Sequence, residues 1–284
     1  MLSGIGMEGL SDEEIAELRH KLLLDRPIYV QYGHWAWNLL QGDWGKSSST
    51  NYPVLMEIKI RLPVTLQLAF AGWIISLIVG LTTGVISAVH RNSALDTGAT
   101  LISMFGVAMP SFWLGILLIY LFSVVLNWLP TAGFVSIFED PVEGLRHLIL
   151  PAIALGFMQA AVLMRQTRSG MLEVLNQDYI KVARAKGLTE RTITWVHALK
   201  NASLPILTIM GLQLGRLIGG TVIIESIFGI PGLGRMALQS IFMRDYMALQ
   251  GVVLLVASGV VIINLITDLL YTFLDPRIRY IRGA

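Results

Sequence analysis

The sequence predicts an all-α integral membrane protein, a polytopic bundle of five transmembrane helices. Charged residues make up 14% of the 284 residues, against about 25% in ordinary soluble domains. The mean hydropathy is +0.65, so water solvates much of this chain poorly. Five apolar stretches each reach the ~20 residues that a helix needs to cross ~30 Å of hydrocarbon, and they lie near 63–89, 98–126, 147–167, 204–227 and 249–273.

Each apolar stretch is predicted to be helical because the bilayer offers no water to an unpaired backbone group. The stretches are long and continuous, whereas the strands of membrane barrels alternate over ~10 residues. Five such runs are also too many for the buried core of a soluble protein of this length. Pro110 follows Met109 inside the second stretch, and we expect it to kink that helix.

Residues 1–61 are predicted to be an extracytoplasmic segment with short helices, followed by a transmembrane domain over 62–284. Ser11 and Glu14 form a capping-box pattern, which predicts a helix that runs to about Leu24 and ends at Pro27. A second short helix is predicted near Gln31–Leu40. The N-terminus has neither the basic nor the apolar region of a signal peptide.

Lysine and arginine residues predict the orientation, since they are enriched in cytoplasmic loops. The loop over 168–203 is predicted to be cytoplasmic because the overlapping segment 165–200 is rich in lysine and arginine. The same reasoning places 90–97 and the C-terminal tail inside the cell. The loops over 127–146 and 228–248 contain few basic residues. The chain is therefore predicted to lie in the inner membrane with its C-terminus in the cytoplasm.

No residue pattern in the sequence indicates an enzyme, a metal site or a cofactor. There is no cysteine, which excludes disulfides and thiol chemistry. No two of the five histidines are three or four residues apart, so no helix presents a paired metal site. The net charge of +2 gives no reason to expect a nucleic-acid partner.

The basic loop contains its own helical hairpin. Asp178 to Lys186 has helical spacing without a breaker, and Gly187 suits the left-handed position after a helix. Thr189 can cap a second helix whose first turn contains Glu190. Two interpretations stay open at this point: a surface that docks a cytoplasmic protein, and a hairpin that lies on anionic headgroups.

The fourth stretch contains Gly211, Gly215 and Gly219, whose spacing is typical of close helix packing within a chain or between subunits. Gln213 and Arg216 lie near its middle, where an arginine costs about 2.5 kcal/mol or more unless it faces water or a partner. Gln213 is a candidate residue of the translocation path, and Arg216 either lines that polar path or pairs with Glu225, Asp268 or another subunit. Glu225 and Asn264 either contact the transported solute or make packing hydrogen bonds.

Several motifs in order resemble the permeases of binding-protein-dependent ABC importers, most closely the dipeptide, oligopeptide and nickel subfamily. The resemblance rests on 178–188 with 197–202 and Leu204-Pro205, on 24–27 with Gln31-Tyr32, on 110–113, on 225–235, and on 268–271 with 274–277. It implies the type I ABC importer permease fold.

The resemblance also implies partners and site residues. A second homologous permease would complete the translocation path, two cytoplasmic ATPase subunits would hydrolyse ATP, and an external solute-binding protein would deliver peptides, a nickel chelate or an oligosaccharide. The 168–203 loop would be the coupling loop that contacts the ATPase. The motif residues that would make this contact are Asp178, Tyr179, Ala183, Ala185, Lys186, Gly187, Leu188 and Glu190.

This sequence departs from the family pattern in two places. The motif's opening Glu-Ala-Ala is replaced by Lys181-Val182-Ala183. Members also begin with one more transmembrane helix, so we expect this sequence to begin after it. The alternative functions are an ion-coupled secondary transporter, for which we find no carboxylate near the midplane, and a membrane assembly protein, which would need no displayed basic hairpin.

Overall fold

The computed structural model describes residues 25–274, and helices dominate that range. The helix predicted from Ser11 to Leu24 and the basic tail after Leu274 lie outside the described residues. The first described helix, α1, spans Ile28–Leu40 and begins directly after Pro27, as the sequence predicts to within three residues. None of its residues is buried.

A loop over 41–53 connects α1 to the first long helix. An isolated bridge between Lys46 and Pro53 closes this loop, which lies against the turn that contains Asp245. Ser47 and Ser49 donate hydroxyl hydrogen bonds of 2.5 Å and 2.9 Å to the Asp245 carboxylate, and Ser48 donates a third of 3.1 Å. This loop is therefore fastened to a part of the chain almost two hundred residues away.

Helix α2 spans Val54–Val89, and at 36 residues it is longer than a membrane span requires. The domain boundary predicted between residues 61 and 62 falls inside this continuous helix. Pro63 is accommodated there without ending it. The predicted apolar stretch starts near residue 63, yet the helix begins nine residues earlier, directly after Pro53.

The second apolar stretch does not form the single kinked helix that the sequence predicts. It forms α3 (Ala94–Ala108) and α4 (Ser111–Leu118), the latter continuing as a π-helix over Ile119–Val125, and the two arms meet at 107°. The reason is local. A residue before proline is driven out of the helical region, and Met109 has an extended backbone with ψ of 122°.

The remaining elements are long helices joined by short ones. They are α5 (Pro141–Leu175), α6 (Asp178–Ala185), α7 (Glu190–Thr192) with a π-helix over Ile193–Ala198, α8 (Leu199–Ile227), α9 (Leu233–Phe242) and α10 (Tyr246–Leu274). Within the described range α2, α5 and α10 are long and apolar enough to cross a membrane. The α3–α4 pair and α8, which bends by 53°, bring the total to five if each bent pair is one span.

Helices α2 and α5 pack closely against each other through a stripe of small residues on α2. A Cβ atom on Gly80 would lie 2.8 Å from the Cβ of Leu163, and one on Gly84 would lie 2.6 Å from the Cβ of Thr167. Ser76 is fully buried on the same face. Small residues every four positions let helix backbones approach, and this stripe is absent from the sequence predictions above.

The buried apolar residues form three clusters along the length of the bundle. The first joins the start of α2 to α9 and α10, and includes Val54, Leu233 and Val252. The second, in the middle, joins α2, α5 and α8. The third joins the end of α2 to α5, the hairpin and the start of α8, and it contains Val85, Met171, Ile180, Ile193 and Ala202.

The loops lie at two opposite ends of the helical bundle. The 90–93 turn lies with the hairpin at one end. The loops 41–53, 126–140 and 228–232 lie at the other, where Gly133 N–H donates to the Phe228 carbonyl at 2.8 Å. This is the alternation of basic and base-poor loops that the sequence predicts.

Candidate functional site

The hairpin over 178–198 projects from the end of the bundle where α5 ends and α8 begins. Gly187 makes its corner with a φ of +80°, a region in which residues with a Cβ are strained. Its N–H donates to the Arg184 carbonyl at 2.9 Å, and Leu188 N–H donates to the Ala183 carbonyl at 3.3 Å. These bonds satisfy the last carbonyls of α6, as the position of Gly187 predicts.

The second arm of the hairpin begins where the sequence predicts but is not a separate helix. The Thr189 hydroxyl caps it by accepting the N–H of Thr192 at 3.3 Å. Helix α7 then passes without a loop into the π-helix and on into α8. The hairpin is therefore continuous with a helix of the bundle.

One face of the hairpin is buried and holds it in place. Ile180 is fully buried and Ala183 is 9% exposed, and both belong to the third apolar cluster. Asn201 at the start of α8 donates its side-chain N–H to the Tyr179 hydroxyl at 2.9 Å. These contacts fix the orientation of α6 against the bundle.

An ion pair joins the two arms across the corner. Arg184 donates to both carboxylate oxygens of Glu190, at 2.7 Å and 3.2 Å. The hydrogen bonds from Arg184 hold the pKa of Glu190 below its ordinary value, and the same contact raises the pKa of Arg184. Both side chains are solvent-exposed, so the pair orients the arms more than it stabilises the fold.

The opposite face of the hairpin is exposed and partly apolar. Tyr179, Val182 and Leu188 are 44%, 53% and 39% exposed. Of the predicted coupling residues, only Ala183 is buried. The others lie at the surface, namely Asp178, Tyr179, Ala185, Lys186, Gly187, Leu188 and Glu190.

The four predicted path residues do not form one site in this chain. Gln213 is 2% exposed, and its side-chain N–H donates to the Gln159 carbonyl of α5 at 2.9 Å. Asn264 is half-buried at the contact of α10 with Gly215. Glu225 is fully buried, whereas Arg216 is exposed.

Glu225 is held by a network that sequence reasoning missed. The Thr65 hydroxyl of α2 donates to one carboxylate oxygen at 2.7 Å, and the Arg235 N–H in the first turn of α9 donates to the other at 2.8 Å. Thr65 in turn accepts the N–H of Leu233 at 2.8 Å. Glu225 therefore satisfies the amino end of α9, and the pairing with Arg216 that the sequence leaves open is not what binds it.

The predicted packing glycines divide into two kinds. Gly211 lies against Thr267 of α10, and Gly215 lies 3.6 Å, measured from its ideal Cβ position, from the Asn264 side chain. These two make an intramolecular contact. Gly219 has nothing within 4 Å of its ideal Cβ position.

An ion pair between the partly exposed Arg168 and the buried Asp96 was also missed. Arg168 of α5 donates to both oxygens of Asp96 at 2.7 Å and 2.8 Å, and Ser87 of α2 donates to the same carboxylate at 2.5 Å. The residues are 72 positions apart, so no local spacing could have predicted the pair. It ties α2, α3 and α5 together at the hairpin end.

Comparison with known proteins shows where this architecture belongs. The family model of binding-protein-dependent transport system inner membrane components matches residues 80–280. The chain is 46% identical over 276 residues to a peptide transport system permease protein of Brucella abortus (strain 2308), with 97% of this chain and 88% of the relative covered.

Two further similarities agree with that match. The chain is 42% identical over 298 residues to the dipeptide transport system permease protein of Escherichia coli (strain K12), covering 97% of this chain and 88% of the relative. In fold it resembles a chain of the methionine ABC transporter crystallised in inward-facing conformations, with a TM-score of 0.64, 19% identity, and 78% and 97% of the two chains covered. The chain is therefore a member of the family of inner-membrane permease components of binding-protein-dependent ABC importers.

Proposed function

We propose that this chain forms, with a second permease chain, the path by which peptides or a related solute cross the inner membrane, and that its hairpin receives the stroke of a cytoplasmic ATPase. The names of the relatives support the solute class. An external solute-binding protein delivers the solute, and two ATPase subunits hydrolyse ATP.

The main support for this proposal is the structure of the hairpin. Its buried face fixes it to α5 and α8, so it cannot move without moving the bundle. Its outer face exposes Tyr179, Val182 and Leu188 beyond the ends of the long helices. Apolar side chains held on a rigid convex element are typical of protein docking surfaces, and a partner that pushes on them would act directly on α8.

The charges support the orientation. The hairpin end of the bundle contains Arg184, Lys186, Arg191 and Lys200, and the opposite end contains the acidic Glu139, Asp140 and Glu143. Basic loops stay in the cytoplasm. This orientation places the hairpin beside the ATPase and directs the 41–53 loop toward the binding protein.

The test is retention of the ATPase subunits on the purified permease. Val182→Asp and Leu188→Asp place a charge in an apolar contact, and we expect each to lower retention about tenfold or more. Val142→Asp, the same kind of change at an exposed residue in the first turn of α5 at the opposite end of the bundle, is the matched control and should retain them fully. Unchanged retention in both aspartate variants would mean that the hairpin does not dock the ATPase and lies on the membrane surface instead.

A further inference from the structure

One face of α8 is exposed in the described chain and includes a single charge. At 100° per residue, Leu212, Arg216, Gly219, Ile223 and Ser226 fall within an arc of about 80°, and all five are exposed. We call these five residues the open face of α8. Its chemistry is apolar and small apart from the Arg216 guanidinium.

The depth of Arg216 excludes lipid as the neighbour of this face. The residue lies three positions from the middle of the 29-residue helix, or about 4.5 Å along the axis. An arginine can extend to the headgroups from near a helix end, but not from mid-span without a large cost. The open face therefore borders protein or an aqueous path.

Arg216 has room to bind a ligand and no partner among the described residues 25–274. Across residues 25–274 no hydrogen bond or ion pair engages its side chain, and the nearby acid Glu225 is occupied by Thr65 and α9. One turn further along, Gly219 and Gly220 have nothing closer than 3.9 Å to their ideal Cβ positions. The guanidinium thus lies beside an uncovered stretch of backbone.

We propose that Arg216 is an anion-recognising residue on the translocation path, and that it binds a carboxylate of the transported solute. The inference rests on the proposed function. A guanidinium presents forked N–H donors that match a carboxylate in geometry and charge, and a peptide has at least one carboxylate at neutral pH. The low dielectric of a narrow path strengthens the contact. The same charge repels cationic solutes.

The test compares uptake of three probes, Ala-Glu, Ala-Ala and Ala-Lys, by the complete importer reconstituted in liposomes with ATP inside. The rate of each variant is divided by the wild-type rate for the same probe, which cancels the preference of the binding protein. We expect Arg216→Gln to lower uptake of Ala-Ala about tenfold, that of Ala-Glu more, and that of Ala-Lys least. Arg216→Lys keeps the charge without the fork, so it should show the same ranking with smaller losses.

The controls separate this inference from the proposed function. Arg91→Gln removes an exposed arginine in the 90–93 turn and should leave all three ratios near one. An equal loss for the three probes would overturn the inference, because Arg216 would then pair with an acid of the partner subunit. Three unchanged ratios would overturn it as well. If the wild-type complex imports none of the probes with ATP, the assignment of peptides as the solute in the proposed function fails.

Discussion

The Asp245 carboxylate lies in the turn between α9 and α10, where only 2% of the residue is exposed. Burial alone would raise its pKa, but the hydrogen bonds from Ser47, Ala248 and Ser49 outweigh that effect and lower the pKa to about 2. The ionised carboxylate is thus what holds the 41–53 loop. Sequence reasoning could not find this contact, because three serines in a row indicate only a loop.

The pH dependence of this loop follows from the lowered pKa. A carboxylate whose pKa is depressed on folding contributes stability above its ordinary pKa of 3.8, and that stability is lost as the pH falls toward 2. We expect the protection factors of residues 43–53 against hydrogen exchange, which correct for the intrinsic effect of pH on the exchange rate, to fall as the pH falls from 4 to 2. Asp245→Asn should lower the same protection factors at pH 7, from a loss of about 2 kcal/mol.

The matched control for the loop is Glu139→Gln, which neutralises an exposed carboxylate in another loop of the same end and should leave exchange in 43–53 unchanged. Equal protection of the loop in wild type and Asp245→Asn would show that the serine contacts do not hold it.

At the scale of elements, the α2–α5 contact depends on the absence of side chains. The α2 stripe Gly72, Ser76, Gly80 and Gly84 has the same four-residue spacing as the glycines of α8 that sequence reasoning singled out. Spacing alone therefore does not tell which small residues lie at a contact. The glycines of the α2 stripe all lie against α5, whereas of the three predicted packing glycines of α8 only Gly211 and Gly215 face a helix of the same chain.

Enlarging a glycine of α2 should destabilise the bundle. Gly84→Val forces atoms into the space of Thr167 and the Met164 carbonyl, and we expect a loss of about 1–3 kcal/mol, seen as a lower melting temperature in detergent. Gly98→Ala is the opposite control. Nothing lies within 4 Å of its ideal Cβ position in α3, so it should gain about 0.5–1 kcal/mol. A melting temperature for Gly84→Val equal to wild type would contradict the close packing.

For the whole molecule, hydrophobic length predicts the number and order of the long helices, because the bilayer imposes one dominant constraint. It fails where a local backbone rule overrides it. Pro110 forces Met109 out of the helix, so one expected span becomes two arms at 107°. The hairpin corner is predictable because the left-handed backbone conformation after a helix favours glycine, and Gly187 adopts it. The partners of Glu225 and Asp96 are not, because they come from distant helices.

The absence of cysteine makes the orientation directly testable. Lys181→Cys on the hairpin and Glu139→Cys in the 126–140 loop place single thiols on exposed residues at opposite ends. We expect a membrane-impermeant maleimide to label Glu139→Cys in spheroplasts, and Lys181→Cys only after the membrane is opened. Labelling of Lys181→Cys in sealed spheroplasts would reverse the proposed orientation.

The helical run from Glu190 to Ile227 contains no loop, so it forms one continuous helical element with a single bend. A flexible loop would absorb a force applied at the hairpin, whereas a continuous helix transmits that force to the bundle. The 53° bend falls between Leu217 and Gly219 and divides the run into a first arm next to the hairpin and a second arm that ends at Ile227. We expect a tilt of the first arm to displace the second arm sideways. The second arm contains Glu225, which accepts a hydrogen bond from the backbone N–H of Arg235, so a movement of this arm would also move α9.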